Sequence, residues 1–280
     1  MNIELGKFNV LEVVKEVDFG VYLDGEEEGE ILLPTRYVPD DCNIGDFLNV
    51  FLYLDNEERL IATTLTPFVQ VGQFACLEVA WVNEYGAFLN WGLMKDLFVP
   101  FREQKMKMQV GNQYIIYAYI DEESYRIVAT AKVDKYLSKD MPPYEANDEV
   151  DILIWQKTDL GFKAIVDNKF SGLLYDSEIF SDLRTGATLK AYVKQVREDG
   201  KLDLILQKPG FEKIDDFAVE LLEYIKNANG SISLNDKSPA EAIYNAFSVS
   251  KKTFKKAVGD LYRKRLIILS EDGIELAKKR

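Results

Sequence analysis

The segment Phe19-Gly20-Val21-Tyr22 decides the fold, because it recurs as Tyr85-Gly86-Ala87-Phe88 and, in altered form, as Leu160-Gly161-Phe162-Lys163. In each copy another glycine follows the central one 25 residues later, at Gly45, Gly111 and Gly186. Repetition at fixed offsets indicates one structural unit used several times. We therefore predict three copies of one unit. Aromatic side chains beside a glycine on a strand are typical of a surface that stacks nucleic-acid bases.

Proline-containing segments divide the chain into four modules. They are Thr66-Pro67, Met141-Pro142-Pro143 and Lys208-Pro209-Gly210. The predicted domains are residues 1–66, 67–140, 141–210 and 211–280. Apolar residues alternate along short runs such as Gln113–Ile120, which indicates β-strands. About five strands in some 65 to 70 residues, without a long helix, predict a small OB-type β-barrel for each repeat.

The last module changes to helical periodicity. Apolar residues in 217–225 have helical spacing, and Asn229-Gly230 then predicts a left-handed cap. Ser238-Pro239-Ala240-Glu241 predicts a capping box with Ser238 as N-cap of a second helix. Ser250 is the predicted N-cap of a third helix to about Lys264, and a β-hairpin with its turn at 271–273 follows. Three helices and a hairpin predict an α+β winged-helix domain, in a chain that is otherwise mostly β.

Composition argues against several classes of protein. The 280 residues include no histidine and two cysteines, Cys42 and Cys76, which lie in different repeats. Histidine is the commonest general base and a common metal ligand, and zinc fingers and disulfide frameworks need clustered cysteines. The sequence has no Walker loop, no GxSxG motif and no pair of carboxylates at motif spacing. We therefore expect no enzyme activity, no metal and no other cofactor.

Hydropathy predicts the compartment. The sequence has no run of about 18 apolar residues and no basic N-terminus followed by an apolar stretch. We therefore expect a soluble, cytoplasmic protein without membrane contact.

Charge is segregated along the chain, although the net charge is -13. Residues 1–60 carry 4 basic and 15 acidic side chains, whereas residues 251–280 carry 10 basic and 4 acidic ones. Phosphate contacts are therefore expected toward the C-terminal half. The run Glu26-Glu27-Glu28 in repeat 1 would repel phosphates and is expected to be a solvated loop.

The repeats resemble S1-type RNA-binding OB barrels. The resemblance rests on the glycine-aromatic strand, on Gly45-Asp46 and Gly111-Asn112, and on the strand endings 59–63 and 126–130. The whole chain is similar to the bacterial conserved virulence factor B family. The most specific parts of this resemblance are residues 167–175 and the lysine-rich segment 250–259. The resemblance implies a cytoplasmic RNA-binding protein that influences gene expression, including virulence-factor production, without a known catalytic activity.

The S1 resemblance implies roles for particular side chains. The pairs Phe19 with Tyr22 and Tyr85 with Phe88 would stack on bases, if a bulge or kink at Gly20 or Gly86 brings both rings to one face. The position that is usually histidine in S1 barrels is occupied by Pro34 in repeat 1, Pro100 in repeat 2 and Tyr175 in repeat 3. Asp55 with Arg59, and Asp121 with Arg126, fit a later acid-arginine pair. Repeat 2 is the better candidate, because repeat 1 is acidic; plugging of barrel ends or packing between repeats is the alternative for these rings.

Repeat 3 and the third helix carry the basic candidates. In repeat 3, cations alternate with Trp155, Phe162, Phe170, Tyr175 and Tyr192, and the cations include Lys157, Lys163, Lys169, Lys190, Lys194, Arg197, Lys201 and Lys208. Either they form a single-strand groove or the rings are core and the cations pair with carboxylates. On the third helix Phe254, Ala257, Val258 and Leu261 form an apolar face. The opposite face carries Lys252, Lys255, Lys256, Gly259 and Arg263, and either contacts phosphates or only solubilises the helix.

Three functions are compatible with these patterns. The first is an RNA-binding regulator of gene expression, in which repeats 2 and 3 and the winged helix form a track for single-stranded RNA. The second is a DNA-binding transcription factor that uses the winged helix. The third is a non-catalytic protein-interaction scaffold, with ribosomal or other proteins bound by the acidic first repeat.

Overall fold

The computed structural model describes residues 3–176, 179, 183–206, 216–270 and 273–277. The chain forms two compact units, residues 1–206 and 207–280. The boundary at 208–210, Lys208 and the hairpin residues Glu271 and Asp272 lie outside the described residues.

Three closed five-stranded barrels make up the first unit. Barrel 1 contains β1 (Phe8–Val17), β2 (Gly20–Asp24), β3 (Glu30–Pro34), β4 (Phe47–Leu54) and β5 (Leu60–Thr63). Barrel 2 contains β6 (Phe74–Val82), β7 (Gly86–Leu89), β8 (Leu97–Pro100), β9 (Gln113–Ile120) and β10 (Ile127–Thr130). Barrel 3 contains β11 (Glu149–Thr158), β12 (Gly161–Val166), β13 (Phe170–Tyr175), β14 (Thr188–Val196) and β15 (Leu202–Ile205). The predicted OB-type fold class is confirmed.

All three barrels share one topology. In barrel 1 the strand order is β1-β2-β3-β5-β4, and the third and fifth strands pair in parallel while the other neighbours pair antiparallel. Barrels 2 and 3 repeat this order with their own five strands. The sequence repeat is therefore a repeat of one complete barrel.

The repeated glycine is needed because two backbones approach closely. A Cβ added to Gly20 would lie 2.1 Å from the carbonyl oxygen of Leu33, and one added to Gly86 would lie 2.3 Å from that of Val99. Gly20 also has a φ of 151°, a conformation that side chains rarely adopt. Neither glycine is at a bulge: the register shifts in the first strand of each barrel, between Val13 and Lys15 and at the equivalent places in β6 and β11, and once more in β14 between Val193 and Gln195.

The barrels pack directly against one another. Phe51 of barrel 1 shares an apolar cluster with barrel 2, where its ring and that of Trp91 pack in a T-shaped arrangement with centroids 5.8 Å apart. Between barrels 2 and 3, Phe74 packs with Leu153, and its backbone N–H donates to Oδ1 of Asn168 at 2.7 Å. Each barrel therefore positions the surface of its neighbour.

The second unit is a small helical domain with a three-stranded sheet. It contains α1 (Asp216–Asn227), β16 (Ser231–Ile232), α2 (Ala240–Phe247), α3 (Lys251–Arg263), β17 (Ile267–Leu269) and β18 (Ile274–Leu276), with the sheet order β16-β18-β17. β17 and β18 pair antiparallel, as the predicted hairpin requires, and β16 adds a short third strand that the sequence pattern did not indicate. The winged-helix prediction is confirmed.

One helix cap forms as predicted and another does not. The Ser250 hydroxyl accepts a hydrogen bond from the N–H of Thr253 at 3.1 Å, so it caps α3. Ser238 does not cap α2, because Pro239 occupies the N-cap position and its side chain cannot accept a hydrogen bond. The Ser238 hydroxyl instead accepts from the N–H of Asn235 at 2.9 Å and closes the turn before the helix.

Candidate nucleic-acid interface

A ladder of three aromatic rings crosses the outer face of barrel 2. Trp81 on β6 stacks on Phe88 of β7 with ring centroids 3.7 Å apart and planes 3° apart, and Phe88 lies 4.8 Å from Phe98 on β8. The three residues are cross-strand neighbours in the sheet. Trp81 is 44 % exposed, so the ladder presents a ring face to solvent. We call Trp81, Phe88 and Phe98 the aromatic ladder.

The same cross-strand triplet exists in every barrel with different side chains. The triplets are Lys15, Tyr22 and Leu32 in barrel 1, Trp81, Phe88 and Phe98 in barrel 2, and Gln156, Lys163 and Leu173 in barrel 3. The triplet of barrel 2 is the one made wholly of rings. Barrel 2 therefore differs from its two neighbours, because its triplet is made of side chains on which nucleic-acid bases can stack.

Tyr85 extends the aromatic surface of barrel 2. It lies in the turn before β7, where Asn83 Oδ1 accepts hydrogen bonds from the N–H groups of Tyr85 and Gly86 at 2.8 and 3.1 Å. Its carbonyl accepts from the N–H of Phe101 at 3.1 Å. The backbone is thus fixed while the ring is 67 % exposed. Tyr85 and Phe88, which the sequence predicted to act together, line one cleft.

That cleft has a volume of about 770 Å³ and is formed by two barrels. Barrel 2 provides the aromatic ladder, Tyr85, Lys95 and Arg126, while barrel 1 provides Tyr53, Leu54, Asn56 and Glu58. Burial lowers the pKa of Lys95, whose ammonium donates to the carbonyl of Asp55 at 2.6 Å. The cleft therefore combines ring faces with the cations Lys95 and Arg126, and the carboxylates of Asp96 and Glu58 also line it.

Arg126 has a different partner from the predicted one. Its guanidinium forms an ion pair with Glu58 of barrel 1. Asp121, expected beside Arg126, instead accepts from the Arg102 guanidinium at 3.2 Å and from the Ser124 hydroxyl at 2.7 Å. Arg126 and Glu58 belong to different repeats, so the pattern within one repeat does not indicate this pair.

The aromatic pair of barrel 1 also meets on one face. The rings of Phe19 and Tyr22 lie 6.3 Å apart at 84°, and Phe19 is 57 % exposed. Arg59 forms the predicted bond to Asp55, with donor-acceptor distances of 2.9 and 2.7 Å, and also pairs with Glu57 at 2.9 Å. Burial acts to raise the pKa of Asp55, but hydrogen bonds from Arg59 and Glu57 outweigh it and lower that pKa.

Barrel 3 has its large rings in the interior. Trp155, Phe162 and Phe170 are all buried, so these rings are core and do not form an exposed stacking groove. Lys163 and Lys169 lie over the rings of Trp155 and Phe170, each at 5.1 Å.

Several cations of barrel 3 are paired with acids. Lys190 lies 3.0 Å from Asp151 and 3.7 Å from Glu149, and Lys157 and Lys201 pair with Asp176 and Asp199.

Tyr175 stands opposite Gly161 just as Pro34 stands opposite Gly20, which confirms the predicted equivalence of positions. The Tyr175 hydroxyl accepts a hydrogen bond from Arg197, and the Arg197 guanidinium also pairs with buried Asp203 at 2.6 Å. Lys194 lies exposed on β14.

Helix α3 of the second unit presents the predicted basic face. Phe254, Ala257, Val258 and Leu261 are buried, and the exposed residues are Lys252, Lys255, Lys256, Tyr262 and Arg263. Asp260 is also buried and lies 2.5 Å from the Arg263 guanidinium. Tyr262, 54 % exposed, adds a ring to this face that the sequence analysis did not select.

Trp81 and Phe98 were also missed, although the repeat carried a signal for them. Trp81 precedes the repeat glycine Gly86 by the same number of residues as Lys15 precedes Gly20, and Phe98 aligns with Leu32. Alignment of the three repeats on their glycines would have shown aromatic residues at both positions in repeat 2.

Within the described ranges, no group of three or more cysteine, aspartate or glutamate side chains is arranged to hold a metal ion. In the same part of the chain, no helix is long and apolar enough to cross a membrane.

Comparison with known proteins gives two matches to domain families and several relatives of similar length. Residues 5–65 match the S1 domain, and residues 219–276 match the CvfB-like winged helix domain. The protein YitL of Bacillus subtilis (strain 168), which is uncharacterized, is 28% identical over 282 residues, covering 98% of this chain and 94% of its own. Conserved virulence factor B of Staphylococcus aureus (strain N315) is 23% identical over 284 residues, covering 98% and 95%.

Among solved structures, a multidomain protein with nucleic acid binding domains from Streptococcus pneumoniae TIGR4 is similar. Its sequence is 27% identical, the match covers 97% of this chain and 98% of that one, and the TM-score is 0.44.

Proposed function

We propose that the chain, which is similar to conserved virulence factor B over nearly its full length, is an RNA-binding regulator of gene expression that holds single-stranded RNA. Its S1 domain and winged-helix domain are of nucleic-acid-binding types and indicate nucleic-acid binding. The preference for RNA and the regulatory role are our proposal.

The aromatic ladder of barrel 2 carries the proposal. A base stacked on an aromatic side chain contributes about 1 to 3 kcal/mol, and any base can stack because each has a π-face. Those faces are accessible in a single strand, whereas base pairs in a duplex are stacked on their neighbours. The exposed rings of Trp81 and Tyr85 therefore favour single-stranded over double-stranded ligands.

The basic face of α3 is the second proposed contact region. Lys252 and Lys255 are exposed, and they project from a helix whose N-terminus is capped by Ser250. Cations of this kind neutralise phosphates and release counterions, so their contribution weakens as salt rises. We propose that α3 provides phosphate contacts and barrel 2 provides stacking contacts.

The geometry of α3 also supports DNA binding through the winged helix as a second candidate function. A 13-residue helix with an exposed basic face is suited to the major groove of duplex DNA. In that case duplex DNA would bind more tightly than single-stranded RNA, and substitutions in barrel 2 would have no effect on affinity.

Fluorescence anisotropy with a labelled oligouridylate of about 12 nucleotides tests the proposal, with duplex DNA of equal length as comparison. Tyr85→Ala is expected to weaken RNA binding about 5- to 150-fold, the equivalent of one lost stacking contact. Phe47→Ala is the matched control, because Phe47 is 66 % exposed on β4 of barrel 1, outside the cleft. Equal affinity of the intact protein and the Tyr85→Ala variant would refute the proposed site.

A further inference from the structure

The cations of the barrel 2 cleft are held by a loop of barrel 1. This loop, Asp55–Arg59, connects β4 to β5 and contains three carboxylates, on Asp55, Glu57 and Glu58. Glu58 forms an ion pair with Arg126, and the carbonyl of Asp55 accepts a hydrogen bond from Lys95 at 2.6 Å. Both cations line the same cleft as Tyr85 and the aromatic ladder. The loop thus provides oxygens that contact both cations.

The loop is built to hold this position. Asp55 Oδ1 accepts hydrogen bonds from the N–H groups of Glu57 and Arg59, at 2.8 and 3.0 Å. The Asp55 N–H donates to the Arg59 carbonyl at 2.9 Å, which closes the loop. Glu58 has a φ of 65°, a left-handed conformation that is uncommon for residues other than glycine. These bonds present the Glu58 carboxylate toward barrel 2 while Glu57 faces Arg59.

We propose that Arg126 and Lys95 form a phosphate site of the cleft, and that the acidic loop of barrel 1 fills this site in the unbound protein. A nucleic-acid phosphate then binds by displacing Glu58 from Arg126. Barrel 1 is a built-in competitor of the ligand, and its acidic charge lowers the affinity of barrel 2. This inference rests on the proposed function.

Glu58→Gln tests the competition, with Glu57→Gln as the matched control. Both variants remove one negative charge from the same loop, but Glu57 contacts Arg59 and not a cation of the cleft. An exposed ion pair contributes about 0.2 to 1 kcal/mol, so Glu58→Gln is expected to tighten oligouridylate binding by a factor of about 1.4 to 5, and Glu57→Gln clearly less. The slope of log affinity against log salt should also steepen by about 0.7 in Glu58→Gln, because the phosphate bound by Arg126 then releases its counterion without freeing a carboxylate that attracts a cation.

A double-mutant cycle separates direct contact from general repulsion. In an Arg126→Gln background, Glu58→Gln should change the affinity no more than Glu57→Gln does. Equal gains from the two single variants, weaker binding by Glu58→Gln, or a gain that persists without Arg126 would overturn the inference. If Tyr85→Ala weakens binding while Glu58→Gln leaves it unchanged, this inference fails and the proposed function stands. If the intact protein does not bind oligouridylate, the proposed function fails first; if it binds and Tyr85→Ala leaves the affinity unchanged, the proposed site fails.

Discussion

Replacement of Gly86 by alanine tests why the repeat contains a glycine between two aromatic residues. The added Cβ would lie 2.3 Å from the carbonyl oxygen of Val99 and 2.8 Å from Cε2 of Phe98. Separations below 3.0 Å are not tolerated, so β8 must move away from β7 at the position where Ala87 pairs with Val99. Overpacking of this kind costs about 1 to 3 kcal/mol, and one weakened backbone hydrogen bond adds about 0.5 to 1.5 kcal/mol.

The expected loss for Gly86→Ala is therefore about 1.5 to 4.5 kcal/mol of unfolding free energy in barrel 2. Urea unfolding followed by tryptophan emission measures it. Gly111→Ala is the matched control in the same barrel, because Gly111 has a φ of 80° and no atom within 4 Å of an added Cβ. Its unfolding free energy should fall by only about 1 to 2 kcal/mol, the cost of placing a residue with a Cβ in a left-handed conformation.

A Gly86→Ala variant no less stable than Gly111→Ala would refute the close-approach argument. Since the same methyl group displaces Phe98 of the aromatic ladder, Gly86→Ala should also weaken RNA binding under conditions in which the protein is folded.

Three further outcomes are expected. Burial acts to raise the pKa of Asp203, but hydrogen bonds from Arg197 and Gln195 outweigh it and lower that pKa. The carboxylate therefore stabilises barrel 3 fully above its unfolded pKa of about 3.9, and this stabilisation is lost as the pH falls through the lower folded pKa. Asp203→Asn should lower the melting temperature at neutral pH and weaken the dependence of the melting temperature on acid pH. Gly259→Ala should stabilise the second unit by about 1 kcal/mol in thermal unfolding, because Gly259 lies in α3 with open space around it; an unchanged or lower melting temperature would contradict this. Combined replacement of Lys252 and Lys255 by alanine should reduce the salt slope of RNA binding by about 1.4, and an unchanged slope would exclude phosphate contacts there.

The architecture could be predicted from the sequence because it depends on local patterns. The glycine spacing revealed three equal barrels, and the apolar spacing around Phe254 and Leu261 identified the buried face of α3. The domain boundaries and the nucleic-acid contacts stay predictions. Ser250 could be predicted as the N-cap of α3 because capping joins residues that are three apart in the sequence. The prediction of Ser238 as the N-cap of α2 was wrong, because the neighbouring Pro239 occupies that position.

The candidate site could be predicted only in part because it depends on register and docking. Trp81 reaches Phe88 through a bulge after Val79, and a shift of one residue moves a side chain to the other face of a sheet. A bulge of this kind has no simple sequence signature. The pair of Arg126 with Glu58 depends on how barrel 1 docks on barrel 2, which the repeat pattern does not specify.

Quenching of tryptophan emission by single-stranded RNA tests the central claim most directly. Trp81 is 44 % exposed, while Trp91 and Trp155 are 2 % and 7 % exposed, so a base stacked on the aromatic ladder should quench mainly Trp81. We predict that oligouridylate quenches the emission over the same concentrations that raise its anisotropy, and that the quenching is lost in Trp81→Phe. RNA binding without any change in the emission of Trp81 would contradict the account.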